Sequence, residues 1–276
     1  EGSPADPAVY MESVHYLKKV VAGAMNIRPT WFFDNTQQGE GLNDVGTHLV
    51  DLVQWTLCPD EALDYRRDIA VVDAQRWPTV ISEVDFRAVT NATRFPDAFA
   101  NSVTDGSFEY YCNTLVTYRL RGIHVQLNVI WDWEAAPGGG DTHYAFYRGT
   151  RSRIEIRQTS ADGLRPELYV VPNAAAAHAG VLSALRKKIA ALASEFPGVE
   201  VEDRQSEIHI GIPAALRVGH EAHFAEVTKG FLAYLRDRSK VPAWEGPNML
   251  AKYFVTTAGT ELSRQRRPSR ARRIAP

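Results

Sequence analysis

The stretch Val116-Thr117-Tyr118-Arg119-Leu120-Arg121-Gly122-Ile123-His124-Val125-Gln126-Leu127-Asn128-Val129-Ile130-Trp131-Asp132-Trp133 decides the fold class. Val116, Tyr118 and Leu120 alternate with Thr117, Arg119 and Arg121, and after Gly122 the alternation resumes with Val125, Leu127, Val129, Trp131 and Trp133 against Gln126, Asn128 and Asp132. A period of two sends successive side chains to opposite faces, so each half is a strand with one buried face, and the Arg-Gly pair joins them as a hairpin. Working outward, Val84, Phe86 and Ala88 alternate with Glu83, Asp85 and Arg87, and Ile154 with Ile156 and Ile208, Ile210 and Ile212 repeat the pattern, which predicts at least five strands with short, antiparallel connections. Helical spacing links Val45, Leu49, Leu52 and Val53; Leu182, Leu185, Ile189 and Leu192; Val218, Ala222, Ala225, Leu232 and Leu235; and Met249, Leu250, Tyr253 and Phe254, the last starting at Pro247 and Asn248. Strands and helices are grouped rather than alternating, so the expected class is α+β: a mostly antiparallel open sheet with helices packed on one face.

Residues 1–258 are expected to form this unit, with 174–206 as a helical insertion opened by the Ala174–Ala177 run, and 259–276 as a basic, disordered tail. The chain has 276 residues and 31 Lys+Arg against 33 Asp+Glu, a net charge of -2 that gives no electrostatic reason for a nucleic-acid partner. No apolar run reaches the length of a membrane span, and no signal-peptide pattern opens the chain. Starting at Glu1 without Met, it reads as a processed product or a fragment, and its compartment is left open. Cys58 and Cys112 are too few for a disulfide framework and read as buried thiols.

Chemistry concentrates after a Gly-rich turn. Gln38-Gly39-Glu40-Gly41-Leu42-Asn43-Asp44 leads into Val45-Gly46-Thr47-His48-Leu49-Val50-Asp51, where Asp44 and His48 share one helical face that Asp51 and Trp55 continue. A carboxylate beside an imidazole fixes its tautomer and suits a general base; equally, Asp44 can cap the helix and His48 be a satisfied, partly buried histidine. Arg28, Trp31 and Trp133 offer a charged donor and aromatic faces of the kind a polyhydroxylated ring needs, while either Trp can instead be core. Asp141 and His143 follow the Gly138-Gly139-Gly140 loop, as site residues or as solvated loop. His220-Glu221-Ala222-His223 is one residue short of His-Glu-x-x-His, so no metal site is expected. His15 has no assigned role, and His209 falls on the polar face of its strand and reads as exposed.

The segment from Arg28-Pro29-Thr30-Trp31-Phe32-Phe33-Asp34 through Gly39-Glu40-Gly41-Leu42-Asn43-Asp44-Val45-Gly46-Thr47-His48 resembles the C-terminal domain of the glucose-fructose oxidoreductase and inositol dehydrogenase family (Gfo/Idh/MocA), and most closely its putative oxidoreductase C-terminal domain subgroup. Trp131-Asp132-Trp133, Gly140-Asp141-Thr142-His143, Arg148-Gly149-Thr150, Gly219-His220-Glu221-Ala222-His223-Phe224 and Trp244-Glu245-Gly246-Pro247-Asn248-Met249 continue the match in order. The resemblance implies a dihydrodipicolinate-reductase-like domain that binds a sugar or polyol beside an N-terminal Rossmann domain carrying NAD or NADP. It also implies Asp44 and His48 as catalytic residues, with Arg28, Trp31, Trp133, Asp141 and His143 at the substrate, and a homo-oligomer built through the sheet face of Gln126, Asn128 and Asp132. The chain departs from the family in having no Gly-x-Gly-x-x-Gly at a strand-helix junction and no Glu-Lys-Pro, so cofactor-binding residues are not expected within it. A carbohydrate-binding or assembly module without redox activity, or an NAD-dependent glycosidase, are the alternative functions.

Overall fold

The computed structural model describes residues 1–21 and 23–266, and of the side chains of 220 and 221 it gives nothing. In chain order, β1 (Val9–Lys18) is followed by the small hairpin β2 (Val20–Val21) and β3 (Ala24–Met25), a 3-10 turn at Thr30–Phe33, and helices α1 (Gly41–Asp44), α2 (Gly46–Leu57) and α3 (Tyr65–Asp68). Then come β4 (Ile69–Ser82), α4 (Glu83–Thr90), β5 (Val103–Thr104), β6 (Ser107–Leu120), β7 (Ile123–Glu134), β8 (Thr142–Arg148), β9 (Ser152–Gln158) and β10 (Glu167–Pro172). The chain continues through α5 (His178–Leu192), β11 (Glu200–Asp203), β12 (Ile208–Gly211), α6 (His220–Arg236) and α7 (Glu245–Arg264).

One large sheet runs in the order β11-β12-β10-β9-β8-β1-β7-β6-β4 and is antiparallel except where β1 lies parallel to β7. Its centre is the predicted hairpin: Leu120 pairs with Ile123, and Arg121 (φ 49) and Gly122 (φ 85) both take the left-handed conformation that a two-residue turn needs to follow strand twist. Cross-strand partners share a face, so Ala74, Val116, Tyr118, Leu127, Val125, Met11 and Val9 point to the same side. There they bury against Leu49, Val50 and Val53 of α2 and Ala251 and Val255 of α7. Farther along that face, Val170, Ile208 and Ile210 bury against Val181 and Leu182 of α5. The fold is thus the expected α+β open sheet with helices on one face.

Four local expectations are corrected. Glu83–Thr90 is a helix, not a strand: Ser82 Oγ accepts the Asp85 N–H (3.1 Å), Asn91 closes the end at φ 59, and the buried pair Phe86 and Val89 has helical spacing. Ser82→Ala is expected to lose about 1 kcal/mol in urea denaturation through this cap. The helix placed at the end of the chain runs on to Arg264, into the stretch read as a tail, because Gly259, Thr260 and Ser263 are buried; residues 267–276 of that tail lie outside the described residues. The 174–206 insertion is not purely helical, since β11 forms the sheet edge beside β12. His209 is buried, with Nε2 3.1 Å from Glu167 and Nδ1 3.0 Å from Glu202, so neighbouring carboxylates take the place of solvent. Of the stripe expected over Val218, Ala222, Ala225, Leu232 and Leu235, Val218 precedes α6 and Leu232 and Leu235 stay exposed on it, as do Phe224, Val227 and Phe231. No helix of the described residues is long and apolar enough to cross a membrane.

Candidate functional site

Where β1 and β7 end side by side, strand parity puts Ser13 and His15 on the helix-covered side, opposite His143 of β8 and Trp131 of β7 respectively. His15 is held at both nitrogens: Nε2 lies 2.8 Å from Ser13 Oγ and Nδ1 3.1 Å from Asp141 Oδ2. Its ring packs on Trp131 with centroids 4.7 Å apart and planes at 31°. Lys19 Nζ donates to the same Asp141 oxygen at 2.5 Å, and the two donors outweigh burial and hold the Asp141 carboxyl below its ordinary value. Lys19 also lines an open cleft of about 860 Å³ between the β2–β3 hairpin and the Ala135–Gly139 loop. His143 is pushed down to about 4, first by burial and then by the neighbouring charge of His15, so it is neutral at physiological pH.

The Gly-rich turn builds the other wall. Glu40 is buried and paired with Arg76 of β4 (2.8 Å) and with Arg264 of α7 (3.0 Å), while Asn35 Nδ2 donates to the carbonyls of Gly39 (3.0 Å) and Tyr111 (3.1 Å). Gly41 lies so close to β6 that a Cβ on it would meet the Cys112 carbonyl oxygen at 2.0 Å. Pinned in this way, α1 carries Asp44 into the electrostatic field of His15, His48 and Arg28. Burial is the largest influence on Asp44 and pushes its carboxyl up; the neighbouring imidazoles, a hydrogen bond from Gln38 and the Arg28 guanidinium oppose it.

Arg28 lies between the walls. Its guanidinium stands 4.3 Å from the centre of the Phe32 ring and 5.1 Å from that of Trp131, with Nη2 donating to the Tyr16 carbonyl at 3.3 Å. Burial draws its pKa down, while Tyr110, Asp141 and Asp44 act in the opposite direction. Arg28 Nε and Asp141 Oδ1 are buried without a hydrogen-bond partner among the described residues. The result is a cluster of one half-buried cation, two carboxylates and two imidazoles beside aromatic faces, groups that suit a ligand rich in hydroxyl groups.

Asp44, Arg28, Asp141 and His143 are therefore brought together from three separate stretches of the sequence. His48 lies near enough to Asp44 to influence its carboxyl but is itself exposed on α2, and Asp51 of the same helical face is drawn to Lys252 of α7 at 2.8 Å. Trp31 is half-exposed, and Trp133 packs against the edge of the core. The aromatic groups beneath Arg28 are Phe32 and Trp131, the latter two residues before Trp133 on the same strand face. His15, Lys19, Trp131 and Glu40 were not singled out as site residues, and β1, which carries His15, was not read as a strand. Cys58 and Cys112 are buried free thiols, with the Cys112 thiol pushed up to about 12 by burial. Among the described residues no group of three or more His, Cys, Asp or Glu side chains could hold a metal ion.

The Gly138–Gly140 run does not fit a dinucleotide pyrophosphate. It connects β7 to β8, with β1 between them in the sheet, and no helix N-terminus follows it, whereas dinucleotide turns pass from a parallel strand into a helix.

The family described as "Putative oxidoreductase C terminal domain" matches residues 1–264. A crystal structure of a putative oxidoreductase from Parabacteroides merdae ATCC 43184 is 41% identical with a TM-score of 0.89, over 96% of this chain and 60% of that one. A putative oxidoreductase from Erwinia carotovora atroseptica SCRI1043 shares the fold at 15% identity and a TM-score of 0.52, over 92% of this chain and 55% of that one. The chain thus spans about 60% of the Parabacteroides chain that it matches. No curated protein matches it.

Proposed function

This chain belongs to the putative oxidoreductase C-terminal domain family, and on that premise we propose that it is the substrate-binding part of an NAD- or NADP-dependent oxidoreductase of the glucose-fructose oxidoreductase and inositol dehydrogenase type, acting on a sugar, polyol or sugar derivative. The observation that carries the reading is the convergence of Asp44, Arg28, Asp141 and His143 around the tilted ring pair of His15 and Trp131. Oxidation of a carbinol requires its oxygen to lose a proton. Here Arg28 offers positive charge to the developing alkoxide, and an imidazole–carboxylate pair accepts the proton, with Asp44 and His48 the pair proposed from the sequence. The aromatic faces bind the apolar face of a ring, while Asp44 and Asp141 accept from its hydroxyls. Because the chain's own glycine run does not fit a dinucleotide, the cofactor in this reading is held by an N-terminal Rossmann domain of the longer protein. The sheet face opposite the helices is proposed to pair with further copies of the protein.

The test uses the full-length protein with NAD⁺ or NADP⁺ and a panel of inositols, pyranoses and alditols, followed by nicotinamide absorbance. Turnover of at least one member is expected, with Asp44→Asn lowering kcat/KM by roughly 10²-fold or more. Binding of the panel without reduction of either nucleotide overturns the redox reading in favour of a carbohydrate-binding module. Stability provides an internal control. Burial raises the Asp44 carboxyl, so its ionised form opposes folding above the folded-state pKa and this cost disappears as pH falls below the ordinary 3.8. Asp44→Asn should therefore keep or raise the melting temperature at pH ~7 and lose any gain at pH ~3.

A further inference from the structure

We propose that the outward face of α6, carried by Val227, Phe231, Leu232 and Leu235, is the seat of the nucleotide-binding domain of the longer protein. The identity of that domain rests on the oxidoreductase reading above; the docking rests on the helix itself.

Helix α6 is turned inside out. Val227, Phe231 and Leu235 follow one another at spacings of four and form a single stripe with Leu232 beside it, and all four are between 43% and 58% exposed. The less exposed side of the helix carries Gly230, Ala233 and Tyr234, two of them too small to fill a core. Among the described residues, the 3-10 turn Arg238–Lys240 that follows is the one element packed against α6 at more than isolated points. The sequence lends such a helix little support. Gly230 sits in its interior, Val227, Thr228 and Phe231 have modest helical propensity, and the Glu226–Lys229 ion pair (2.6 Å) is exposed. Isolated helices of about 15 residues are marginal in water even when rich in alanine, so these 17 residues need a surface packed on their apolar face.

The position of α6 points to the occupant. Strands β8, β9, β10 and β12 alternate in direction, so β12 finishes at the end of the sheet where Asp141 and His143 stand. Helix α7 begins at the other end. There Asn248 bonds to the backbone of Glu61 (3.0 Å) and Leu63 (2.9 Å), Glu61 pairs with Arg121 of the hairpin turn, and the His124 N–H donates to the Glu1 carbonyl at 2.8 Å. Helix α6, about 25 Å long at 1.5 Å per residue, connects these two ends. A domain that precedes Glu1 and lies along α6 therefore reaches from the start of this chain to the candidate site, where a nicotinamide has to meet the substrate. A second copy seated on α6 answers to neither position. The Parabacteroides relative, matched over 96% of the present chain, continues beyond the 60% of its own chain that is matched, so it has residues for such a domain.

Photocrosslinking in the full-length protein tests the docking. On irradiation, Phe231→p-benzoylphenylalanine should join α6 to residues upstream of Glu1 in the same chain, read by mass spectrometry of the digest, and Lys229→p-benzoylphenylalanine, off the stripe, should not. A crosslink to a second copy or to residues after Glu1, or no crosslink, overturns the proposal. Hydrogen exchange gives a second reading. The α6 amides should be protected in the unmodified full-length protein and lose roughly tenfold or more of that protection when Phe231→Ser and Leu235→Ser are combined, with the β6 amides unchanged. Unprotected α6 amides in the unmodified protein overturn the proposal as well. The redox reading fails separately, by the absence of nucleotide reduction with every member of the panel, and the docking then still stands or falls on the crosslink.

Discussion

Gly41→Ala is expected to lower the melting temperature by about 10 °C and to abolish binding at the Asp44 wall. The Cβ would stand 2.0 Å from the Cys112 carbonyl oxygen and 2.7 Å from its carbon. Both atoms are backbone of β6, and the residues flanking them are tied to β4 through the pairs Tyr110 with Thr79 and Asn113 with Trp77, so the strand yields little. Helix α1 has to lift instead. That strains the Glu40 contacts to Arg76 and Arg264 and moves Asp44, three residues on, away from Arg28 and His15. Overpacking against flexible side chains costs 1–3 kcal/mol, and a backbone-on-backbone clash belongs at or above the top of that range, at ~3 kcal/mol. Gly138→Ala is the control: it places alanine at φ 73 with nothing within 4 Å, so only local strain of roughly 1–2 kcal/mol applies and the site is untouched. Differential scanning calorimetry with isothermal titration of a bound panel sugar reads both effects. Equal losses in the two variants would show that close approach at Gly41 does not hold the wall in place.

The reach of sequence reasoning follows from what each residue's neighbours are. The β6–β7 hairpin was legible because its alternation and its Arg121-Gly122 turn are both local, and α2 and α5 because their apolar spacing is. In Val84-Phe86-Ala88 the two periods compete over few residues; the cap at Ser82 and the left-handed Asn91 carry the decision, and alternation hid them. The last turns of α7 carry small and polar residues that look like tail. They are buried because α7 approaches α1 and β6 closely: a Cβ on Gly259 would meet Leu42 at 2.6 Å and Val116 at 3.2 Å. Asp44 could be singled out from its own helix. His15 could not, since its partner Asp141 is 126 residues away and only the register of β1 against β7 and β8 joins them. His209 was misplaced for the same reason: its partners, Glu167 and Glu202, stand on neighbouring strands.

His143 leads to the second large effect, a loss of as much as about 3 kcal/mol of stability as pH falls from 6.5 to about 4. Burial is the main cause and the nearby His15 adds to it, so the folded protein holds the ring neutral well below the pH at which the unfolded chain protonates it. For a base whose folded-state pKa is depressed, the unfolded state binds the extra proton. The stabilisation is therefore complete above 6.5 and drains away as pH falls through the interval down to about 4. Asp44 acts with the opposite sign, since its raised carboxyl relieves an unfavourable charge as pH falls toward 3.8, and so offsets part of the loss at the acid end. Urea denaturation between pH ~4 and ~8 should accordingly show a steep acid limb in the unmodified chain. His143→Gln should flatten that limb, and Asp44→Asn should steepen its lower end by removing the compensation. A limb of unchanged slope in His143→Gln would mean that burial does not hold this ring neutral in the folded protein.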